Sequence, residues 1–361
     1  MRWIHQLGVV GALLIAVSAS RGDEIPEDVQ KAIDRGLDWM QRTQNRDGHW
    51  DANGQYPATM TALGGMCFLM EGSTMREGKY SDNIRRAVDW FMDRNQPNGL
   101  LGNPNNPSEA SRYMYGHGFG LLFLACAYGS EEDADRRKKL EKILTKAVEF
   151  AGKAQTDRGG WGYVSSADGG GFDEGSVTIT QLQGLRAAKN AGIVVPKSII
   201  DKSMDYLGKC TTDRGGIIYS LAHGGAVSGQ ERPPLTVAAI ACSFSAGKYD
   251  SPLAKKWFAY CRNFIGVGNN RMGHDEYMHY YYSQALYILG DQGYAKIFPD
   301  DKDTTQHLNW SKYRKDMHAH LLKSQAADGS WGGGYIGSHF ATSVNLTILQ
   351  LDNGVLPIYQ R

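Results

Sequence analysis

Gln155-Thr156-Asp157-Arg158-Gly159-Gly160-Trp161 is the stretch whose reading decides the fold, because the chain writes it again. Thr212-Asp213-Arg214-Gly215-Gly216 repeats its centre unchanged, and Tyr163 and Tyr219 keep the same offset behind the two copies. Related loops are Gln44-Asn45-Arg46-Asp47-Gly48-His49-Trp50 and Gln325-Ala326-Ala327-Asp328-Gly329-Ser330-Trp331; weaker copies are Gln96-Pro97-Asn98-Gly99 and Asn269-Asn270-Arg271-Met272-Gly273. The marker glycines 48, 99, 159, 215, 273 and 329 are spaced by 51, 60, 56, 58 and 56 residues. A period of that size over most of a chain means stacked supersecondary units.

Each unit reads as two helices. The first is amphipathic and charged, as in Asp28 to Gln44, Ser81 to Gln96 and Arg136 to Gln155, with Val29, Ile33, Leu37 and Met40 at helical spacing. Pro26, Pro196 and Pro252 stand near helix starts, where a missing N–H costs little. The second helix is apolar and rich in small residues: Ala58 to Met70, His117 to Tyr128, Ser176 to Ala191, Leu235 to Ala246, Tyr277 to Leu289 and Thr342 to Leu351. Each is followed by a glycine, at 72, 129, 192, 247, 290 and 354, expected to end it in the left-handed conformation. Apolar helices alternating with charged ones imply an inner ring covered by an outer one. Six hairpins can close on themselves, whereas an open solenoid usually needs polar capping repeats, and none is evident. The expectation is an all-α (α/α)₆ toroid forming one domain over residues 21–361, with its glycine loops at one end.

The chain has 361 residues, 39 Lys plus Arg against 38 Asp plus Glu. That balance gives no electrostatic reason to expect nucleic acid or an anionic membrane as partner. Arg2, the apolar run Leu7 to Val17 and the small residues Ser18, Ala19 and Ser20 read as a secretory signal peptide over residues 1–20. The run falls short of the roughly 20 apolar residues that span a bilayer. An exported chain, periplasmic or extracellular after cleavage near residue 20, is expected. Five cysteines leave at least one thiol unpaired; Cys67, Cys126 and Cys242 lie in apolar helices, where Cys packs as a small hydrophobe. No pair has the close spacing of a zinc or redox site, so neither metal nor cofactor is expected.

The Gln–Gly–Trp loops at 44–50, 155–161 and 325–331 resemble the Q-x₃-G-x-W motif of squalene and hopene cyclases, whose helical-hairpin repeat is shared with protein prenyltransferases. The resemblance covers roughly residues 26 to 354. The text around Met114 to Gly118 and Gly175 to Thr178 is similar to exported repeat proteins of planctomycete-like bacteria. It implies that Gln44, Trp50, Gln155, Trp161, Gln325 and Trp331 tie hairpins together. The cyclases' acidic motifs, DxDD and DDxxD, are both absent: Asp300-Asp301-Lys302-Asp303 has the wrong order in a polar loop. Tyr277 to Tyr282 resembles the prenyltransferase segment bearing a zinc-ligating His, with His279 in that place, but the upstream Asp-x-Cys is missing.

Counting eleven residues back from the terminal glycines gives Thr61, Gly118, Gln181, Thr236, His279 and Ser343. A polar or small residue at one offset of apolar helices suggests a face lining a central cavity. His279, His117, Tyr113, Tyr280, Arg112 and Asp275 are accordingly the candidate site residues, with His274, Tyr277, Asp173, Glu174 and His339 nearby in the text. His279 is expected to point into the cavity. His, Tyr and Arg together could move protons on a sugar, as α/α-toroid polysaccharide lyases do. A small apolar, isoprenoid-like ligand or a glycan is the expected partner if the cavity is open and lined by these groups. A cavity plugged by its own side chains would point instead to a non-catalytic interaction module of the cell envelope that works through its rim loops.

Overall fold

Among the described residues, twelve major helices alternate between the charged and the apolar type, in the order the text predicts. The computed structural model describes residues 25–222, 224–245, 251–262, 267, 274–332 and 334–360. The signal segment, Gly247 and the loop copy at 269–273 lie outside the described residues. The charged helices are α1 (Glu27–Arg42), α3 (Ser81–Arg94), α5 (Ala134–Ala154), α7 (Lys197–Lys209), α9 (Pro252–Cys261) and α12 (Trp310–Ser324). The apolar ones are α2 (Pro57–Glu71), α4 (Tyr113–Tyr128), α6 (Gly175–Asn190), α8 (Pro233–Ser245), α10 (Asp275–Leu289) and α13 (Ser338–Leu349). A short α11 (Gly293–Ile297) interrupts the last outer connection. Among the described residues the only β pairing is isolated bridges within and between the loops.

The apolar helices pack side by side in chain order, and α13 returns to pack on α2, so the inner ring closes. The outer ring covers it: α3 lies on α2 and α4, α5 on α4 and α6, and α1 on α13, α12 and α2. Outer helices bury one stripe, as Val29, Ala32, Ile33, Leu37 and Met40 do in α1, whereas inner helices are buried nearly all round. The fold expected from the sequence is the fold found, an all-α toroid of helical hairpins.

The loops are fastened by one set of bonds used repeatedly. Gly48, Gly99, Gly159, Gly215 and Gly329 have φ between +95° and +100°. A Cβ on any of them would collide with a carbonyl of the next outer helix, at Arg86, Lys146, Lys202, Lys256 and Arg35 respectively. Glycine is required twice over, for its φ and for this approach. The Gln before the loop donates to its own glycine carbonyl and to the next outer helix: Gln44 to Gly48 (2.8 Å) and Asn83 (3.0 Å), Gln155 to Gly159 (2.9 Å) and Ile199 (3.0 Å), Gln325 to Gly329 (2.9 Å) and Ala32 (2.8 Å). The last of these joins the sixth hairpin to the first. The indole N–H of Trp50, Trp161 and Trp331 donates to the carbonyl of Met40, Ala151 and Leu321, near the end of its own outer helix.

Neighbouring loops are also joined by main-chain bonds at the starts of the inner helices: Tyr56 to Ser108, Met114 to Tyr163 and Gly175 to Tyr219 (3.0–3.2 Å). The described loops therefore form a belt at one end of the barrel, as expected. At the other end, Gly72, Gly192, Gly290 and Gly354 have positive φ. Gly129 departs from the expectation: it stays right-handed (φ −59°), and Ser130 and Glu131 carry the turn on by bonding to Ala127 and Tyr128.

Residues 350–360 cap this far end, which the hairpin pattern did not foretell. Gln350 and Asn353 donate to the carbonyls of Cys67 and Met70, and the turn 357–359 packs on α6. Tyr359 is buried there, its hydroxyl 3.3 Å from that of Tyr280. The five cysteines are unpaired, four of them buried.

Two substitutions test the fastening. Trp161 is fully buried, so Trp161→Ala is expected to cost about 3–5 kcal/mol by chemical denaturation, through the cavity and the orphaned Ala151 carbonyl. Gly159→Ala should also destabilise, although it adds only a methyl group, because both φ and the Lys202 carbonyl oppose it. Parent-like unfolding midpoints would contradict this account of the loop.

Candidate functional site

The two histidines that led the candidate list face outward. Leu101 N–H donates to His117 Nδ1 (3.2 Å), and His117 Nε2 lies 3.2 Å from the Ala147 carbonyl on α5. The first bond is the same one that Thr61, Thr178, Thr236 and Thr342 make: each hydroxyl accepts the main-chain N–H two residues past a loop glycine, at Trp50, Trp161, Ile217 and Trp331. His117 is therefore a longer version of a threonine clamp. His279 stands one turn into α10, matching these positions, and its Nδ1 is 2.8 Å from the Tyr313 hydroxyl on α12. The expectation that it points into a central cavity is corrected: the inner–outer interface does have room for the ring, because Tyr313 stacks beside it and shares its hydroxyl with Ser283.

The others divide similarly. Tyr113 accepts from Ser165 N–H (2.7 Å) and donates to Asp168, pinning the loop at 165–168. Tyr280 is buried against Tyr359. Asp275 begins α10 on the side of His320. Asp173 is wholly buried with Arg158 (2.6 Å) and Tyr206 (2.9 Å) as partners, and His339 holds the Asp51 carbonyl (2.6 Å). Of the six candidates, Arg112 alone lies in the mouth of the ring.

The axis below that mouth is filled. Gln183 of α6 and Gln284 of α10 hydrogen-bond across it (2.7 Å), both buried. Tyr281 packs on Tyr277 and Tyr280, with ring centroids 4.9 and 4.8 Å apart. What remains reachable is the loop end. There the Arg112 guanidinium lies 4.7 Å over the Tyr163 ring, and its charge faces the phenols of Tyr56, Tyr163, Tyr115 and Tyr335. The hydroxyls of Tyr163 and Tyr219 bond to each other, and Phe172 packs between their rings. Tyr335 is 86% exposed, which no packing need explains.

Glu174 forms the floor. Its carboxylate caps α6 by accepting from Ser176 N–H (2.9 Å) and Val177 N–H (2.7 Å), and it also takes the Ser176 (2.7 Å) and Tyr115 (3.3 Å) hydroxyls. Burial pushes its pKa up, against the pull of those bonds. Tyr277 neighbours Tyr115 and Glu174, and its hydroxyl is buried with no hydrogen-bond partner among the described residues. The sequence offered the shared offset of Tyr163 and Tyr219, the candidate Arg112, and Glu174 and Tyr277 nearby in the text. The rest comes from five separate loops and helix starts. Among the described residues no cluster of His, Cys, Asp or Glu is placed to hold a metal ion, and no helix is long and apolar enough to cross a membrane.

No family model matches the chain, and none of the curated proteins matches it. Solved structures do. The GH76A α-1,6-mannanase of Salegentibacter sp. HEL1_6, in complex with α-1,6-mannotriose, superposes with a TM-score of 0.63 at 8% identity, covering 91% of this chain and 99% of that one. The type II terpene cyclase MstE from Scytonema gives 0.56 at 14% identity over 91% and 99% of the two chains. A protein from Actinoplanes gives 0.54 at 15% identity over the same shares. These likenesses are of fold: the toroid is one on which sugar and terpene chemistry both occur.

The buried imidazoles make stability depend on pH. Burial lowers the pKa of His117, His279 and His318 from 6.5 to about 4. In His117 the reason is visible, since Nδ1 faces an N–H donor and has no place for a second proton. A base depressed in the folded state keeps its full stabilisation above pH 6.5 and loses it as pH falls towards 4, by about 3 kcal/mol per residue. Glu109, pushed up to about 7 by burial, acts in the opposite sense. Urea midpoints should therefore drop between pH 6.5 and 4, and His117→Gln, which can accept from Leu101 and donate to Ala147 without titrating, should drop less.

Proposed function

We propose that the protein is exported and binds a carbohydrate in the aromatic mouth at the loop end of the toroid. The observation that carries this reading is the construction of the mouth: tyrosine rings partly open to solvent, phenols as donors and acceptors, and one arginine stacked on a ring. Sugars present alternating apolar faces and hydroxyls, and such a surface answers both, through ring stacking and through hydrogen bonds. The buried, unpartnered Tyr277 hydroxyl adds to it, because an orphan of this kind costs about 1–3 kcal/mol until something bonds to it. A ligand hydroxyl can be that partner.

An isoprenoid reading is less well supported. A long apolar chain needs a dry channel along the axis, and Gln183, Gln284, Tyr280, Tyr281 and Tyr359 occupy that space. Chemistry on the bound sugar would have to run through Glu174, whose oxygens are already engaged in capping α6, so binding is the function we assign. Glu174, Ser176 and Tyr115 then act as the polar floor that orients the ligand, and Tyr163, Tyr219 and Tyr335 as its walls. This keeps the rim loops, expected from the sequence to serve an interaction module, as the working surface.

Calorimetric titration of the chain with neutral manno- and gluco-oligosaccharides tests the proposal. Tyr219→Ala and Tyr335→Ala should each weaken binding by roughly five- to ten-fold, the loss of one stacking partner, with little change in melting temperature because both side chains are exposed. Tight binding of a geranylgeranyl compound that neither variant alters, or binding of no glycan, would overturn it.

A further inference from the structure

We infer that the sugar taken by the mouth is an acidic one, its carboxylate held by Arg112; this rests on the carbohydrate reading above and specifies its substrate class. The argument begins from charge. Several arginines have a carboxylate partner: Arg136 has Asp89 and Glu131, Arg158 has Asp173, Arg262 has Asp301 and Arg314 has Asp352. Arg112 has none. Its guanidinium makes no hydrogen bond and no ion pair among the described residues; only its main chain is used, the N–H on the Glu109 carbonyl and the carbonyl by the Tyr115 N–H.

Three acids near it in the chain or in the mouth are committed elsewhere, and a fourth, Glu276, lies against Gly334 beside Tyr335. Glu174 spends both oxygens on Ser176, Val177 and Tyr115. Glu109 accepts from Asn103 N–H (2.9 Å), and Asp168 is taken by Tyr113 and Ser165. A guanidinium has five donors in a planar fork. Here the guanidinium carbon lies 4.7 Å over the Tyr163 ring, and the phenols of Tyr56, Tyr115 and Tyr335 lie near the charge without neutralising it. A side chain free to swing into water is instead held over a ring at the opening. That geometry leaves the edge of the fork as the surface offered to a ligand, and a planar carboxylate is the group that matches it with two parallel bonds.

A neutral sugar would use the tyrosines and leave this cation unanswered. A uronic acid residue answers both. A sulfate ester offers the same charge and can also set two oxygens against the fork, so the experiment includes it.

Three oligosaccharide sets of equal length are titrated into the intact chain: neutral, uronate-containing and sulfated. The expected result is that the uronate set binds roughly ten-fold or more tightly than the neutral set, as a charge-assisted pair provides. The advantage should shrink as salt is raised. Arg112→Gln should abolish the preference for the uronate set over the neutral one, and Arg112→Lys should restore only part, because it keeps the charge and loses the fork. Both variants should melt with the parent, since the Arg112 side chain bonds nothing in the protein. Equal affinity for neutral and uronate sugars would overturn the inference and leave the carbohydrate reading standing. Preference for the sulfated set would overturn the carboxylate assignment. Binding of none of the three would remove the carbohydrate reading, and this inference with it.

Discussion

The glycine at each described loop tip packs against the next hairpin, and the ring depends on that contact. With φ near +100° and a neighbouring carbonyl where a side chain would start, each described glycine admits the following outer helix to a distance no other residue allows. In three of the loops the Gln beside it reaches the same helix, and Trp locks the loop back to the helix it came from. Each hairpin thus carries a fixed offset to the next one. Applied around the chain, the offset brings Gly329 and Gln325 against α1. Closure follows from a local rule, and a closed ring has no exposed end to cap.

Because that rule is local and repeated, it was legible. The marker glycines predicted the hairpins, the alternation of charged and apolar helices predicted the layers, and the resemblance carried by the Gln–Gly–Trp loops implied the ties. What the text could not supply was the phase of the inner helices. Aligning them on their terminal glycines grouped His279 with Thr61 and Gly118, and made the offset look like a cavity face. The structure aligns them from the other end, by the hydroxyl that accepts a loop N–H, which groups Thr61, His117, Thr178, Thr236 and Thr342. Terminal glycines are a poor ruler because the helix end is a matter of local turn chemistry, as right-handed Gly129 demonstrates. A clamp to a neighbouring loop is a better one, since moving it by a residue would turn the side chain away from its partner.

The same reasoning explains why buried histidine misled. A His on an apolar helix reads as a functional oddity when it is compared with Leu or Ala. Compared with threonine at the same clamp, it is another acceptor for the same N–H, with a second nitrogen long enough to reach the Ala147 carbonyl of the outer helix. His279 does the corresponding work towards Tyr313. The mouth was hidden for the opposite reason. Tyr56, Arg112, Tyr163, Tyr219 and Tyr335 are individually ordinary loop residues, and only closure of the ring places them around one opening.

A toroid has two places where a ligand can be met, its axis and its mouth, and they are under different constraints. The axis is shared by all six inner helices, so whatever fills it enters the packing of every hairpin. Here Tyr280, Tyr281, Gln183 and Gln284 fill it, and the segment 350–360 closes it from below. Emptying it for a ligand would withdraw contacts from the core that holds the ring together. The mouth is built from loop residues beyond the glycine clamp. Tyr163 and Tyr219 follow loops whose turns are already fixed by Gly159 and Gly215, so their identity can vary without disturbing the tie to the next helix. A scaffold fastened behind its loops leaves the loops free to specialise. Among the described residues this mouth is aromatic and holds Arg112 without an ion pair, and the binding site we propose lies there, outside the ring that supports it.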